Sequence, residues 1–574
     1  MWLGLPVLLY AWSLSAPFVF DDLHLVLKTE RYLRGESPEL GLFRFAPTDD
    51  DWRRLRDRGT VPWWAHPDLR IDLLRPLAEW SFCLDMLLFG RNTLGHRAVS
   101  LLWFVLALLC AHRLFARTAR DPVQAGMATF FLGISQTLAQ PVAFISNRSD
   151  LLALVGTTLA TNAYWLARTQ PRKGLVPAAA GCFAFALLAK EMAVGLAGVV
   201  LLHALAVRSG PADRDDGTRR AARIRGLIAA SLAILAAAYL AYYAASRPAC
   251  LGLDDTGGVE ALSAIQRVVR SIPLYLAVWT VGFPISVLAE ASTTAIALVG
   301  GAGVVLALLL VHHVVRLVRA DPAALFFCLW AIVFLLIGVL TVPETRVLSV
   351  ASVGWAYLLS GLLRLPDAPG RPSGAATSSD PRPAAPSRLA PVWMRHWLLT
   401  ANGMVSICCA VGVIVLQTRF EQQCRNNLGL YLAADGSPLH KGDALIVTEP
   451  ESGLELMFAG DRLEFMTGVA DVGVVFLGDP GSKASVERRD ERTLVVTAGS
   501  GDFFSSPGYR PWLGRTWPPR VGHTFEHRDF SAEVASVSVG GGVTSLIFRF
   551  REALTSPRYH YSPAAVGTLA RGKP

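Results

Sequence analysis

The chain has 574 residues, of which 52% are hydrophobic and 17% charged, with a mean hydropathy of +0.39. A soluble protein carries roughly 25% charge, so the composition excludes an ordinary soluble protein of this length. The net charge of +9 does not point to nucleic acid, because the arginines stand in short loops between apolar runs, where they set membrane topology.

The apolar run Trp2–Phe20 is long enough to span a bilayer, which takes about 20 helical residues. It lacks a basic leader and a small-residue cleavage site, and reads as an anchor. A polar stretch from Asp21 to Arg75 follows. In residues 76–89, Leu77, Trp80, Leu84 and Leu88 share one helical face, the pattern of a helix lying along the membrane surface. Further spans are expected at 97–115, 122–145, 149–167, 174–189, 192–207, 225–246, 292–315, 322–341, 346–363 and 394–416. Charges force several boundaries: Arg148 and Asp150 divide 122–167, and Lys190-Glu191 divides 175–207 as a hairpin tip, since buried ions are costly in hydrocarbon. The segment 268–289 contains Pro273, Gly282 and Pro284 and is read as re-entrant or superficial. That leaves eleven spans.

Arginines in the loops after 115, 167, 207 and 315 mark one side as cytoplasmic. The opposite side receives Asp21-Asp22, Arg148-Asp150, Lys190-Glu191 and Glu344-Arg346. The expected organisation is an all-α polytopic membrane domain over 1–363, with an external loop 21–96. A flexible cytoplasmic linker (364–393), a last span (394–417) and a small β-rich extracytoplasmic domain (418–574) follow. Within the last, 444–448, 472–477, 493–497, 532–539 and 544–550 read as strands, with Gly540-Gly541-Gly542 as a hairpin turn, and the domain is expected to fold separately. Eight cysteines are scattered without a CxxC pair or metal spacing.

Each charged cluster has a plain structural reading, as a solvated helix end, a self-paired tip or an interfacial anchor. Together they supply what transfer from a lipid phosphate needs. A guanidinium donates two parallel hydrogen bonds to phosphate, and a carboxylate takes a proton from a hydroxyl acceptor.

Five segments in order carry a resemblance: FVFDD (Phe18–Asp22); Arg75-Pro76-Leu77 followed by Asp85, Phe89-Gly90 and His96; ISNRSDLL (Ile145–Leu152); LLAKE (Leu187–Glu191); and PETRVLSVASVG (Pro343–Gly354). Across about residues 1–363 the chain resembles the GT-C class of membrane glycosyltransferases that use polyprenyl-phosphate sugars. Within it, the likeness is to the membrane half of the tetratricopeptide-repeat protein O-mannosyltransferases. It departs where the family has glycine (Asn147), an acidic residue (Gln140), tyrosine (Ser349) and proline (Ala351), and in lacking the repeats. The resemblance implies inverting transfer of a sugar, a mannose-like hexose among the options, from a polyprenyl-phosphate donor to a hydroxyl of a protein or glycan. Asp21 would be the base and Asp22 its assistant. Arg346, Arg148 and Lys190 would hold the donor phosphate, supported by Arg75, Asp150, Glu191, Glu344 and His96. No obligatory metal or cofactor is expected, nor any nucleic-acid partner. The place is a bacterial inner membrane among its lipids, with the site and the β-rich domain on the periplasmic side. Two other readings stay open: a lipid-linked sugar transporter or flippase, and a non-catalytic scaffold presenting the C-terminal domain.

Overall fold

The computed structural model describes residues 2–66, 72–207, 216–246, 260–285, 293–339, 344–363, 391–448, 450, 455, 457–478, 484–499, 502–504 and 519–563. The expected linker lies outside them over 364–390. The chain forms two compact units.

The first unit comprises Met1–Ser15, Arg97–Tyr242 and Ala264–Ile414 and is helical. Among the described residues, five helices are long and apolar enough to cross a membrane: Thr93–Thr118, Asp216–Ser246, Thr294–Ala320, Pro322–Val339 and Val392–Ala433. The chain is a multi-pass membrane protein. The expected span 149–167 is one unbroken 22-residue helix, Arg148–Thr169, and the remaining expected spans are shorter or broken. Leu175–Ala189 has 15 residues, about 22 Å at 1.5 Å per residue, less than the ~30 Å hydrocarbon core. The first run is a helix over Gly4–Ala11 and a 3-10 turn over Trp12–Ser15.

The expected span 122–145 is not one helix. It stops at Gly133, and two short turns and the five-residue helix Ala139–Ala143 follow. The Ser135 hydroxyl accepts from the Thr137 amide and competes with the helical bond pattern. The stretch 268–289 is helical up to Thr280, where Gly282 (φ 79°) turns the chain. Tyr275, Ala277, Val278 and Trp279 are buried there.

Small residues let helices meet closely. A Cβ on Gly156 would stand 2.7 Å from that of Ala186, and one on Gly354 2.4 Å from the Phe327 carbonyl oxygen. Between them the core holds Phe104, Phe115, Tyr164, Phe326, Phe327, Trp330 and Tyr357.

The second unit joins Ala16–His96 and Tyr243–Ser263 to Val415–Pro574. Among the described residues its eight strands are β1 (Ala444–Val447), β2 (Gly473–Phe476), β3 (Ser485–Arg488), β4 (Thr493–Thr497), β5 (Thr524–Glu526), β6 (Phe530–Val537), β7 (Val543–Phe550) and β8 (Tyr559–Tyr561). They form a parallel sheet in the order β2-β1-β8 and an antiparallel sheet in the order β3-β4-β7-β6-β5. Gly541 (φ 83°) makes the β6–β7 turn.

The loop contributes to this core. Trp63 packs edge-on against Phe525, Phe530 and Phe548, with centroids 5.3–5.7 Å apart, and its indole N–H donates to the Phe476 carbonyl at 2.7 Å. The Thr60 and Gly59 carbonyls accept from the Phe458 and Ala459 amides at 2.9 and 3.1 Å. Helix Pro76–Phe89 buries Ala78, Phe82, Cys83, Asp85 and Met86. Its other face leaves Trp80, Leu84, Leu87 and Leu88 exposed, as a helix on a lipid surface requires.

Candidate active site

In the first unit, three of the resembling segments coincide with breaks in helices. Ile145–Asn147 is a 3-10 turn before helix Arg148–Thr169. Helix Leu175–Ala189 ends because Lys190 is extended (φ −160°, ψ 136°), and the turn Glu191–Val194 follows. A third turn, Thr345–Leu348, follows the extended Glu344.

These breaks bring their polar side chains together. The Lys190 ammonium lies 2.7 Å from both Asp150 carboxylate oxygens, and the Ser349 hydroxyl donates to the same carboxylate at 2.9 Å. The Asp150 and Lys190 side chains are only 1% and 8% exposed. Arg346 donates to the Asn147 side-chain oxygen and to Glu344. Arg148 is buried, and its Nε donates to the Ser100 hydroxyl at 3.1 Å. Two of the departures from the family pattern are therefore partners within the cluster, Asn147 for Arg346 and Ser349 for Asp150. Three buried oxygens between residues 136 and 149, on Gln136, Gln140 and Ser149, have no hydrogen-bond partner among the described residues. Each such group costs about 1–3 kcal/mol while unpaired. Arg346 keeps the more accessible guanidinium, with 31% of its side chain exposed.

Asp21 and Asp22 belong to the second unit. They open helix Asp21–Leu33, where the positive end of the helix dipole favours a carboxylate. Asp22 is wholly buried and accepts from the Val19 amide at 3.3 Å, whereas Asp21 is half-buried. Phe20, immediately before them, has φ 49° and ψ −120°, a conformation that costs a non-glycine residue about 1–3 kcal/mol.

Residues from far along the chain surround this motif. The Arg425 guanidinium donates to the Phe18 carbonyl at 2.7 Å, and the Phe20 amide donates to Glu421 at 3.4 Å. Glu421 receives two bonds from Arg462, at 3.0 and 2.9 Å. Asp461 lies 3.3 Å from His24 and 3.1 Å from Arg58. Burial alone would raise the Asp461 carboxyl, but His24 and Arg58 hold it well below the usual carboxylate range. Burial pushes the His24 imidazole down. We read this contact as a neutral imidazole donating to a carboxylate whose charge is balanced by Arg58.

Within the Arg75–His96 segment, His96 donates from Nε2 to the Gly90 carbonyl at 2.8 Å, and its Nδ1 lies 3.4 Å from Asp85. Phe18 and Phe82 flank the ring, each with its centroid 5.4 Å away. Arg75 stands apart, at the start of helix Pro76–Phe89, with its guanidinium 5.3 Å from the Phe43 ring centroid. There it lines a cavity of about 230 Å³ with Glu39, Arg44 and Glu79. Glu191 is half-buried beside Lys190. Among the described residues, no three His, Cys, Asp or Glu side chains gather as a metal set.

The residues that sequence reasoning missed are Ser100, Glu421, Arg425, Asp461 and Arg462. They carry no local signal, because each meets its partner only through tertiary packing.

No protein-family model matches the chain, and no curated protein sequence does. Solved structures do match in part. ArnT from Cupriavidus metallidurans bound to undecaprenyl phosphate is 14% identical over 83% of this chain and 89% of its own, with a TM-score of 0.39. Its apo form is 13% identical over 82% and 88%, with a TM-score of 0.41. An oligosaccharyltransferase from Archaeoglobus fulgidus tethered to an acceptor peptide is 14% identical over 79% of this chain, with a TM-score of 0.39. The match spans 63% of that longer protein.

Proposed function

We propose that the protein is a GT-C-type membrane glycosyltransferase that moves a sugar, a mannose-like hexose among the candidates, from a polyprenyl-phosphate donor to a hydroxyl acceptor with inversion. One observation carries the reading: ISNRSD, LLAKE and ETRVLS, distant in sequence, bring Asn147, Arg148, Asp150, Lys190, Arg346 and Ser349 into one cluster. A lipid phosphate needs such convergent donors, and a purely solvated loop does not.

In this mechanism Arg346 and Arg148 hold the donor phosphate. They stabilise the charge it gains as the bond between the sugar's anomeric carbon and the phosphate oxygen breaks. Asp21 accepts the proton of the acceptor hydroxyl as that oxygen attacks from the opposite face, which inverts the anomeric centre. Asp22, buried and bonded to the Val19 amide, shapes the motif. Lys190, paired with Asp150, acts as that carboxylate's counter-ion and keeps the two helix breaks together. Glu344 and Glu191 support the turns that carry Arg346 and Lys190, and Arg75 and His96 support the external loop that carries Asp21. The acceptor is a protein or glycan reached from the periplasmic side of a bacterial inner membrane, and the polyprenyl-phosphate sugar is the only small molecule required.

The decisive test is to incubate the purified protein with a panel of polyprenyl-phosphate sugars and measure lipid-phosphate release. Failure with every donor, for a folded protein that binds none of them, leaves the scaffold reading in its place. Orientation is tested by reporter fusions at Gly370 and Ser500; a cytoplasmic signal at Ser500 contradicts the proposed side.

A further inference from the structure

We propose that Glu421, Arg425 and Arg462 are positioning residues for the Phe18–Asp22 motif, so that the C-terminal part of the chain serves as the support of the catalytic loop. This rests on the reading of Asp21 as the base.

Phe20 occupies a region of backbone space that suits glycine. A phenylalanine stays there only if its surroundings over-determine it, and here they hold the two peptide groups that lead into it. Arg425 holds the Phe18 carbonyl and Glu421 holds the Phe20 amide. The Phe20 ring stacks on that of Phe420, at 6.0 Å and 16°. Glu421 has no exposed surface, and its carboxylate is fixed by Arg462 on both oxygens and by Arg425 at 2.9 Å.

The short helix Ala459–Thr467 supplies three anchors to the same region. Arg462 meets Glu421, Asp461 meets His24, and Glu464 takes two bonds from Arg31 at 2.6 and 2.7 Å. His24 and Arg31 both lie on helix Asp21–Leu33. The start of that helix, where Asp21 stands, is thus set by charges more than 400 residues away in the chain, as the separation of 401 between Phe20 and Glu421 shows. A charge triad serving packing alone would have no reason to bind the two successive peptide groups, 18–19 and 19–20, that lead into a strained residue.

The test uses the full-length protein in nanodiscs and compares wild type, Glu421→Gln, Arg425→Lys, Phe20→Gly and the double variant Phe20→Gly/Glu421→Gln. Amide exchange of residues 16–24 is expected to quicken by about tenfold or more in Glu421→Gln, with β6, β7 and helix Arg148–Thr169 unchanged. Phe20→Gly should restore much of the lost protection in the double variant, because glycine takes the conformation without strain. Where transfer is measurable, Glu421→Gln should lower kcat by an amount on the order of 10²-fold and leave KM for the polyprenyl-phosphate donor alone.

Wild-type exchange in a folded Glu421→Gln protein overturns the proposal. So does loosening of the whole second unit, or a rise in KM equal to the fall in kcat. Should Glu421→Gln not fold, Arg425→Lys, which keeps the charge but not the fork, is judged by the same exchange criterion. If wild type transfers nothing from any donor, the enzymatic reading fails, while the exchange data still decide whether the clamp exists.

Discussion

Removing either member of the Asp150–Lys190 pair should destabilise the first unit severely, and removing both should not. The ammonium sits 2.7 Å from each carboxylate oxygen, with the two side chains 1% and 8% exposed. Water cannot solvate whichever charge is left behind. Breaking such a buried pair typically costs about 3–5 kcal/mol, whereas replacing the whole pair by uncharged groups of similar volume is close to neutral. Asp150→Asn keeps the bond from Ser349, so its cost isolates the stranded ammonium, and Lys190→Met isolates the stranded carboxylate. The double variant Asp150→Asn/Lys190→Met should recover most of the loss, giving a coupling of about 3 kcal/mol or more. Thermal unfolding in detergent, followed by tryptophan fluorescence, ranks the four proteins. Polyprenyl-phosphate binding by the double variant should stay near wild type. Single changes within about 0.5 kcal/mol of wild type, together with a loss of lipid-phosphate affinity from Lys190→Met alone, would refute the counter-ion argument and make Lys190 a phosphate ligand.

Asp21→Asn should lower turnover by about 10²–10⁴-fold, as loss of a general base does, with donor binding retained. Asp22→Asn should act more on thermal stability than on rate, since Asp22 is buried at the helix start. Near-normal transfer by Asp21→Asn removes the mechanism. Arg346→Lys should weaken donor binding although the charge is kept, because an ammonium cannot make two parallel bonds; unchanged affinity means the arginine only anchors at the interface. Trp63→Ala should cost the second unit about 3–5 kcal/mol. For the same reason residues 420–574 alone should fail to melt cooperatively, and a sharp transition from that fragment argues against the shared core.

The sequence made some features plain because their signals are local. β1, β2 and β4 are apolar, β-branched runs, and β6 and β7 intersperse buried apolar residues with polar ones around a glycine turn. β5 and β8 have three residues each, and β3 alternates half-buried and exposed positions, so none of them rises above its surroundings. Helix Ala459–Thr467 is too short to show a period, although it carries Asp461, Arg462 and Glu464. The 122–145 run looked continuous because hydropathy averages over Ser135, Gln136, Thr137 and Gln140, the residues at which the helix breaks.

Lys190 and Glu191 look like a self-contained pair in sequence. Lys190 is extended, however, and its ammonium reaches Asp150 on another helix. The ties between the first loop and the C-terminal part have no local pattern at all. Arg58 meets Asp461 across 403 positions, and only the folded chain brings them together.

The union of Trp63 with Phe476, separated by 413 positions, also sets an order of events during synthesis. At about 5–20 residues per second, the ribosome needs roughly 20–80 s after making Trp63 to deliver the strand that receives it. For that interval Trp63, Trp64 and the charged helix Asp21–Leu33 exist without their core. The loop is then open to proteases and holdase chaperones, and the newborn chain's survival depends on how fast its last third arrives.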